Sequence, residues 1–177
     1  AARGLANAIE GAGQVYVSAT WPTVATLGRR EEGFRAEMAR SFPNVTVLPT
    51  QYTGMDPAKA AIQLHAMLQQ APNLAGVFCV NPGAAVGTFN ALKEAGRSGM
   101  VKLAVIDATE QMVGALKSGQ VDLIVSQHPA EMGWLGTMLG YGVATGQSIP
   151  TRIDTGFTLM DRKNIDDPGM KRFIYAR

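Results

Sequence analysis

Asn81, Asp107 and Gln127 each stand directly after a short apolar run: Val77-Phe78-Cys79-Val80, Leu103-Ala104-Val105-Ile106 and Leu123-Ile124-Val125-Ser126. An ionised aspartate accepts hydrogen bonds on two oxygens, whereas asparagine and glutamine both donate and accept. Arg30, read at the start of a helix, adds a guanidinium fork suited to gripping paired oxygens. Arg29 and Arg30 fall in the first turn of that predicted helix, where the macrodipole disfavours a cation by roughly 0.3–1 kcal/mol, an effect Glu31 and Glu32 offset. Together the four describe a partner rich in vicinal hydroxyls, a sugar or polyol. One carboxylate with no second beside it makes no general acid and base pair. The set is recognition chemistry without bond-making, and the chain reads as not an enzyme.

Each residue also has a structural explanation. Asn81 before Pro82 is a helix N-cap, and Asp107 shortly before Thr109 suits an Asx-turn. Gln127 has no such role, since glutamine is a poor cap. His128 is a further candidate contact, its structural alternative being the residue that opens a helix at Pro129. His65 borders the apolar face of its helix and reads as structural. Gly11-Ala12-Gly13 precedes a strand rather than following one, so it fails as a dinucleotide loop. No phosphate-binding glycine loop, nucleophile elbow or cysteine–histidine metal spacing occurs. Neither metal nor cofactor is implied.

The elements that must position these residues alternate regularly. A helix opens the chain, with Leu5, Ala8 and Ile9 on one face. Strands are predicted near 14–19, 45–49, 76–80, 101–106 and 121–126, with a last extended segment at 152–160. Between them fall helices near 28–41, from Asp56-Pro57 to about Gln70 with Ala61, Leu64 and Leu68 inward, from Pro82 to Gly96, from Thr109 to Lys117, and from Pro129 to about Thr145. This order implies an open, doubly wound parallel sheet in three layers, α/β/α. Short apolar runs bounded by turns are strands buried on both faces, and ligands bind beyond their carboxyl ends. Helix 130–146 breaks the pattern: Met132, Trp134, Leu135, Met138, Leu139, Tyr141 and Val143 surround it, so it needs cover on every side.

Composition narrows the rest. The 177 residues are 46% apolar and 17% charged, which suits a well-buried α/β core and argues against disorder. A net charge of +2 without basic stripes gives no sign of a nucleic-acid or membrane partner. The single cysteine, Cys79, forms no internal disulfide. No run reaches the ~20 apolar residues of a membrane span. No signal peptide is visible, and an opening in mid-helix reads as a fragment or processed piece.

The chain resembles the periplasmic sugar-binding proteins of ABC importers, the type I group of ribose- and galactose-binding proteins. The resemblance rests on Gly28-Arg29-Arg30-Glu31-Glu32-Gly33-Phe34, Gly76-Val77-Phe78-Cys79-Val80-Asn81, Ala91-Leu92-Lys93-Glu94-Ala95-Gly96, Val105-Ile106-Asp107 and Gln127-His128-Pro129-Ala130-Glu131-Met132-Gly133. The ending Asp154-Thr155-Gly156-Phe157-Thr158-Leu159-Met160, followed by Asn164-Ile165-Asp166, is similar to the transporter branch.

The resemblance implies sugar contacts for Arg30, Asn81, Asp107 and Gln127. It implies that residues 1–126 and 151–177 form the carboxyl-terminal ligand-binding lobe. Residues 127–150 would be a hinge crossing whose helix packs on an N-terminal lobe missing from the chain; because exposing the apolar side chains of helix 130–146 is costly, self-association through that helix is expected in its place. It also implies a periplasmic or lipid-anchored extracellular protein that delivers its sugar to importer membrane subunits. The chain departs from the family in two places. Pro82 replaces the usual acidic residue, and Met55 falls near a sugar-stacking aromatic, for which Trp21 and Tyr52 are the alternatives. A lactose-repressor-type effector domain shares the fold and is the second functional reading.

Overall fold

The structure is a computed structural model and describes residues 1–175. Ala176 and Arg177, the end of the second segment assigned to the lobe, lie outside the described residues. In chain order the elements are α1 (Ala2–Ala8), β1 (Gly13–Ala19), α2 (Ala25–Ser41), β2 (Val45–Val47), β3 (Gln51–Tyr52), α3 (Pro57–Gln70) and β4 (Leu74–Cys79). There follow α4 (Pro82–Glu94), β5 (Lys102–Ile106), α5 (Glu110–Lys117), β6 (Leu123–Gln127), α6 (Pro129–Ala144), β7 (Phe157–Met160) and a 3-10 helix, Pro168–Phe173.

The strands form one sheet in the order β2-β1-β4-β5-β6-β7, with β3 also paired to β1. All pairings are parallel except β6 with β7, which is antiparallel. The strand predicted over 45–49 ends at Val47, and a further short strand, β3, follows it: β2 pairs with the start of β1 and β3 with its end. Pro49 lies between them and offers no N–H to a ladder.

Both faces of the central strands are buried, as apolar runs without alternation require. Val77, Cys79, Leu103, Val105 and Ile124 pack beneath α3, α4 and α5 against Leu64, Phe89, Leu92, Met112 and Leu116. Phe78, Val80, Ala104, Ile106, Leu123 and Val125 pack on the other face against Leu5 of α1 and Phe34 and Met38 of α2. The rings of Phe34 and Phe78 stack with centroids 4.6 Å apart. Helices α3 and α4 meet at Gly87, where a Cβ would collide with the Pro57 carbonyl.

Two helix starts follow the predicted chemistry. Asp56 accepts from Ala58 N and Lys59 N ahead of Pro57, and Asn81 accepts from Ala84 N ahead of Pro82. The inward face of α3 is shifted from the prediction: Ala60, Leu64 and Met67 are buried, while Ala61 and Leu68 are partly covered. Helix α2 begins at Ala25 rather than near Gly28, so Arg29 and Arg30 lie in its second turn. The macrodipole penalty falls off within one turn and does not explain them.

Only Gly142 of α6 is buried. Trp134 is 63% exposed and Tyr141 66%, and Met132, Met138 and Val143 are exposed with them. Gln127 is the last residue of β6 and Phe157 the first of β7, so the chain leaves the sheet over residues 128–156.

Candidate functional site

The carboxyl ends of β4, β5 and β6 are neighbours, and each carries one of the predicted polar residues. Asn81 stands two residues beyond the end of β4, as the N-cap of α4, and its buried side chain uses Oδ1 to accept from Ala84 N at 3.0 Å. The cap explanation is therefore correct, yet it occupies only that oxygen; among the described residues the amide nitrogen makes no hydrogen bond.

Asp107 directly follows β5, and its backbone N–H extends the ladder to Val125 O at 2.9 Å. Its φ is +82°, in the left-handed region that side chains other than those of asparagine and aspartate rarely adopt. Gln127 Nε2 donates to Asp107 Oδ1 at 2.6 Å. Arg30 comes from α2 across the sheet edge. Its NH1 donates to Val80 O at 2.6 Å and lies 3.9 Å from Asp107 Oδ2. Both side chains of that ion pair are about one-fifth exposed, 21% and 19%, so they face solvent on one side only. The structure thus brings Arg30, Asp107 and Gln127 into one connected group, with Asn81 beside it on the adjacent strand.

The further candidates divide. Gly54 N–H donates to Thr20 O, and Thr53 N–H to Ala19 O, so loop 53–55 runs beside the end of β1. There the Trp21 ring lies against Gly54, whose φ of +66° turns the loop beside it. Met55 has φ +63°, is half exposed and sets its carbonyl against Gly83 in the first turn of α4. Trp21 and Met55 therefore flank the opening on the β1 side. Tyr52 is held elsewhere: its hydroxyl donates to Glu31 Oε2 at 3.2 Å, and that carboxylate also binds Arg35 and Thr50.

His128 is also occupied. Its Nδ1 is 3.0 Å from Glu131 Oε2, its Nε2 is 2.9 Å from Thr158 Oγ1, and its ring stacks on Phe173. It anchors the start of α6 and carries no free donor for the site. His65 is half exposed beside Glu94, in keeping with a structural role.

One residue of the site was not anticipated. Tyr175 donates its hydroxyl proton to Asp107 Oδ1 at 3.0 Å and accepts the Gln127 N–H at 3.2 Å. Burial, and after it the charge of Asp107, raises its phenol above the ordinary value. Nothing in its local pattern marks it, because the contact spans 68 residues of sequence.

The arrangement gathers hydrogen-bond donors and acceptors, and among the described residues its neighbouring thiol is not poised as a nucleophile. Cys79 is fully buried, its thiol pushed up to about 12 by burial, with Sγ 3.6 Å from Thr88 Oγ1. Among the described residues no three histidine, cysteine or acidic side chains gather as a metal site, and no helix is long and apolar enough to cross a membrane.

The chain is similar to several solved and curated proteins. It is 48% identical to an ABC transporter solute binding protein from Agrobacterium vitis solved with α-D-tagatopyranose, with a TM-score of 0.95 over 99% of this chain and 59% of that one. A carbohydrate transporter solute binding protein from Agrobacterium radiobacter, solved with D-arabinose, is 25% identical with a TM-score of 0.87, over 98% of this chain and 63% of that one. The D-allose-binding periplasmic protein of Escherichia coli strain K12 is 26% identical over 135 residues, which are 76% of this chain and 43% of that protein. The ribose import binding protein of Haemophilus influenzae is 26% identical over 72% of this chain and 43% of its own length. The chain thus spans less than half the length of the curated relatives it matches. A family model described as a periplasmic binding protein domain matches residues 1–148, and the chain belongs to that family.

Proposed function

We propose that this chain forms one wall of a sugar-binding cleft in the solute receptor of an ABC importer, with Arg30, Asn81, Asp107 and Gln127 as its polar contacts. The observation that carries the reading is the division of labour within these side chains. Each fastens one atom to the scaffold and keeps hydrogen-bonding capacity in reserve: the Asn81 amide nitrogen, Asp107 Oδ2, the remaining guanidinium N–H groups of Arg30 and Gln127 Oε1. Two donor groups beside two acceptors match sugar hydroxyls, which donate and accept together. Trp21, aided by Met55, covers the apolar face of the ring.

The 48% likeness to a receptor solved with α-D-tagatopyranose supports a monosaccharide in pyranose form, with a ketohexose as the first candidate. The matched relatives are sugar receptors of importers, which favours transport over the regulator reading. On this reading the protein binds without chemistry, needs no cofactor or nucleic acid, and works outside the cytoplasmic membrane, in the periplasm or on a lipid anchor. It presents the sugar to the importer's membrane subunits.

Residues 1–126 and 151–177 form the carboxyl-terminal lobe in this reading. The crossing through α6 packs on a second lobe that supplies the facing wall and closes by hinge motion. A lobe alone buries too little of a sugar to hold it well, so the isolated chain binds weakly. Without that second lobe, α6 self-associates.

Isothermal titration of the complete receptor against D-tagatose, D-allose, D-ribose and D-arabinose tests the assignment. Asp107→Ala abolishes binding of whichever sugar the wild type takes. Unchanged affinity in that variant refutes the site.

A further inference from the structure

The carboxyl-terminal segment straps the end of the sheet that carries the site. After β7 the chain returns through the 3-10 helix, whose Phe173 is buried against His128 with ring centroids 4.3 Å apart. Ser126 Oγ donates to the Phe173 carbonyl at 2.6 Å. Two residues later Tyr175 N–H donates to Ala108 O at 2.9 Å, and Tyr175 bridges to Thr109. The backbone of Tyr175 is thereby fixed against the turn that follows Asp107. Its hydroxyl then closes a triangle: Tyr175 to Asp107 Oδ1, Gln127 Nε2 to the same oxygen, and Gln127 N–H to the tyrosine oxygen.

We infer that Tyr175 is a positioning residue of the sugar site, holding Asp107 and Gln127 in their binding geometry without touching the ligand. The inference rests on the sugar-site reading above. Two donors saturate Asp107 Oδ1, so the carboxylate presents Oδ2, the oxygen facing Arg30, to the cleft. Gln127 is held at both its backbone and its side chain, which turns Oε1 into an acceptor of fixed direction. Without the hydroxyl, Asp107 retains one side-chain donor and its carboxyl plane is free to rotate. The sugar must then order it, and affinity falls. The raised phenol keeps its proton at neutral pH and so remains a donor to the carboxylate.

The test is Tyr175→Phe in the complete receptor, which keeps the ring and removes only the hydroxyl. Affinity for D-tagatose falls about tenfold, the equivalent of one net hydrogen bond. Discrimination between D-tagatose and its monodeoxy analogues narrows at the hydroxyl that meets Asp107, a change that mere loss of packing does not produce. Equal affinity and equal discrimination in the variant overturn the inference while leaving the sugar reading intact. A wild type that takes no sugar of the panel refutes the sugar reading instead. In that event an NMR titration of the Tyr175 phenol still decides the contact. It titrates lower in Asp107→Asn than in wild type, and a phenol unmoved by that substitution overturns the inference.

Discussion

Asp107 is held at a φ of +82°, and the order of stability of two substitutions there follows from that angle. Asp107→Ala and Asp107→Gly remove the same carboxylate and the same bonds from Gln127 Nε2 and Tyr175, so the loss of side-chain chemistry cancels between them. What remains is backbone. A left-handed conformation costs an L-residue about 1–2 kcal/mol, and alanine has no polar group with which to offset it. Glycine adopts that angle freely but gives the unfolded chain more entropy, a penalty of roughly 0.4–1 kcal/mol. The difference leaves the glycine variant more stable by about 0.5–1 kcal/mol, whereas at an ordinary position alanine is the more stable. In a domain of this size that is about 2 °C in Tm, and urea unfolding followed by circular dichroism resolves it as a shift in midpoint at constant slope. An alanine variant as stable as the glycine variant, or more so, refutes the left-handed backbone at Asp107. In the complete receptor neither variant binds sugar, so stability and binding are read separately.

Asn81→Asp keeps the oxygen that caps α4 and removes the amide donor, so the thermal midpoint stays near that of wild type while sugar affinity falls at least tenfold in titration; Asn81→Ala also loses about 1 kcal/mol of stability in urea. Glu37 has its carboxyl lowered to about 2, by Arg3 first and then by Arg40, with a smaller contribution from Ser41. Its folded value lies below its unfolded one, so its contribution is whole above the ordinary carboxylate range and is lost as pH falls towards 2. Glu37→Gln therefore flattens the acid side of the stability profile in that window, and an unchanged profile removes the ion cluster from the account. Trp134→Glu makes the isolated chain monomeric in sedimentation at micromolar concentration where the wild type self-associates, and a monomeric wild type contradicts the proposal for α6.

The layers of the fold were legible because burial on both faces leaves a plain record: four consecutive apolar residues have no solvent side. Caps were legible for a related reason. Asp56-Pro57 and Asn81-Pro82 satisfy exposed backbone N–H groups locally, within three residues, and no distant part of the chain changes that need. The start of α2 was not legible, since Val24 caps it without a side-chain bond. Nor was the end of β2 at Val47, or the antiparallel return of β7, where pairing is decided by what lies beside a segment. Tyr175 marks the limit. Its partners Asp107 and Gln127 are assembled by the sheet order, and a tyrosine in an irregular tail has no periodicity to report that.

Asn81 shows why a local reading leaves a binding role undecided. Capping and sugar binding look like rival explanations of one residue, yet they use different atoms, Oδ1 for the Ala84 N–H and the amide nitrogen for a ligand. Asp107 divides in the same way, with Oδ1 given to Gln127 and Tyr175 and Oδ2 turned towards Arg30. A side chain that spends half of its hydrogen-bonding capacity on the scaffold has its direction fixed before the ligand arrives, and that lowers the ordering cost of binding. The structural role is thus part of the binding role. The substitutions that separate the two are those that keep one atom and change the other, Asn81→Asp and Tyr175→Phe among them.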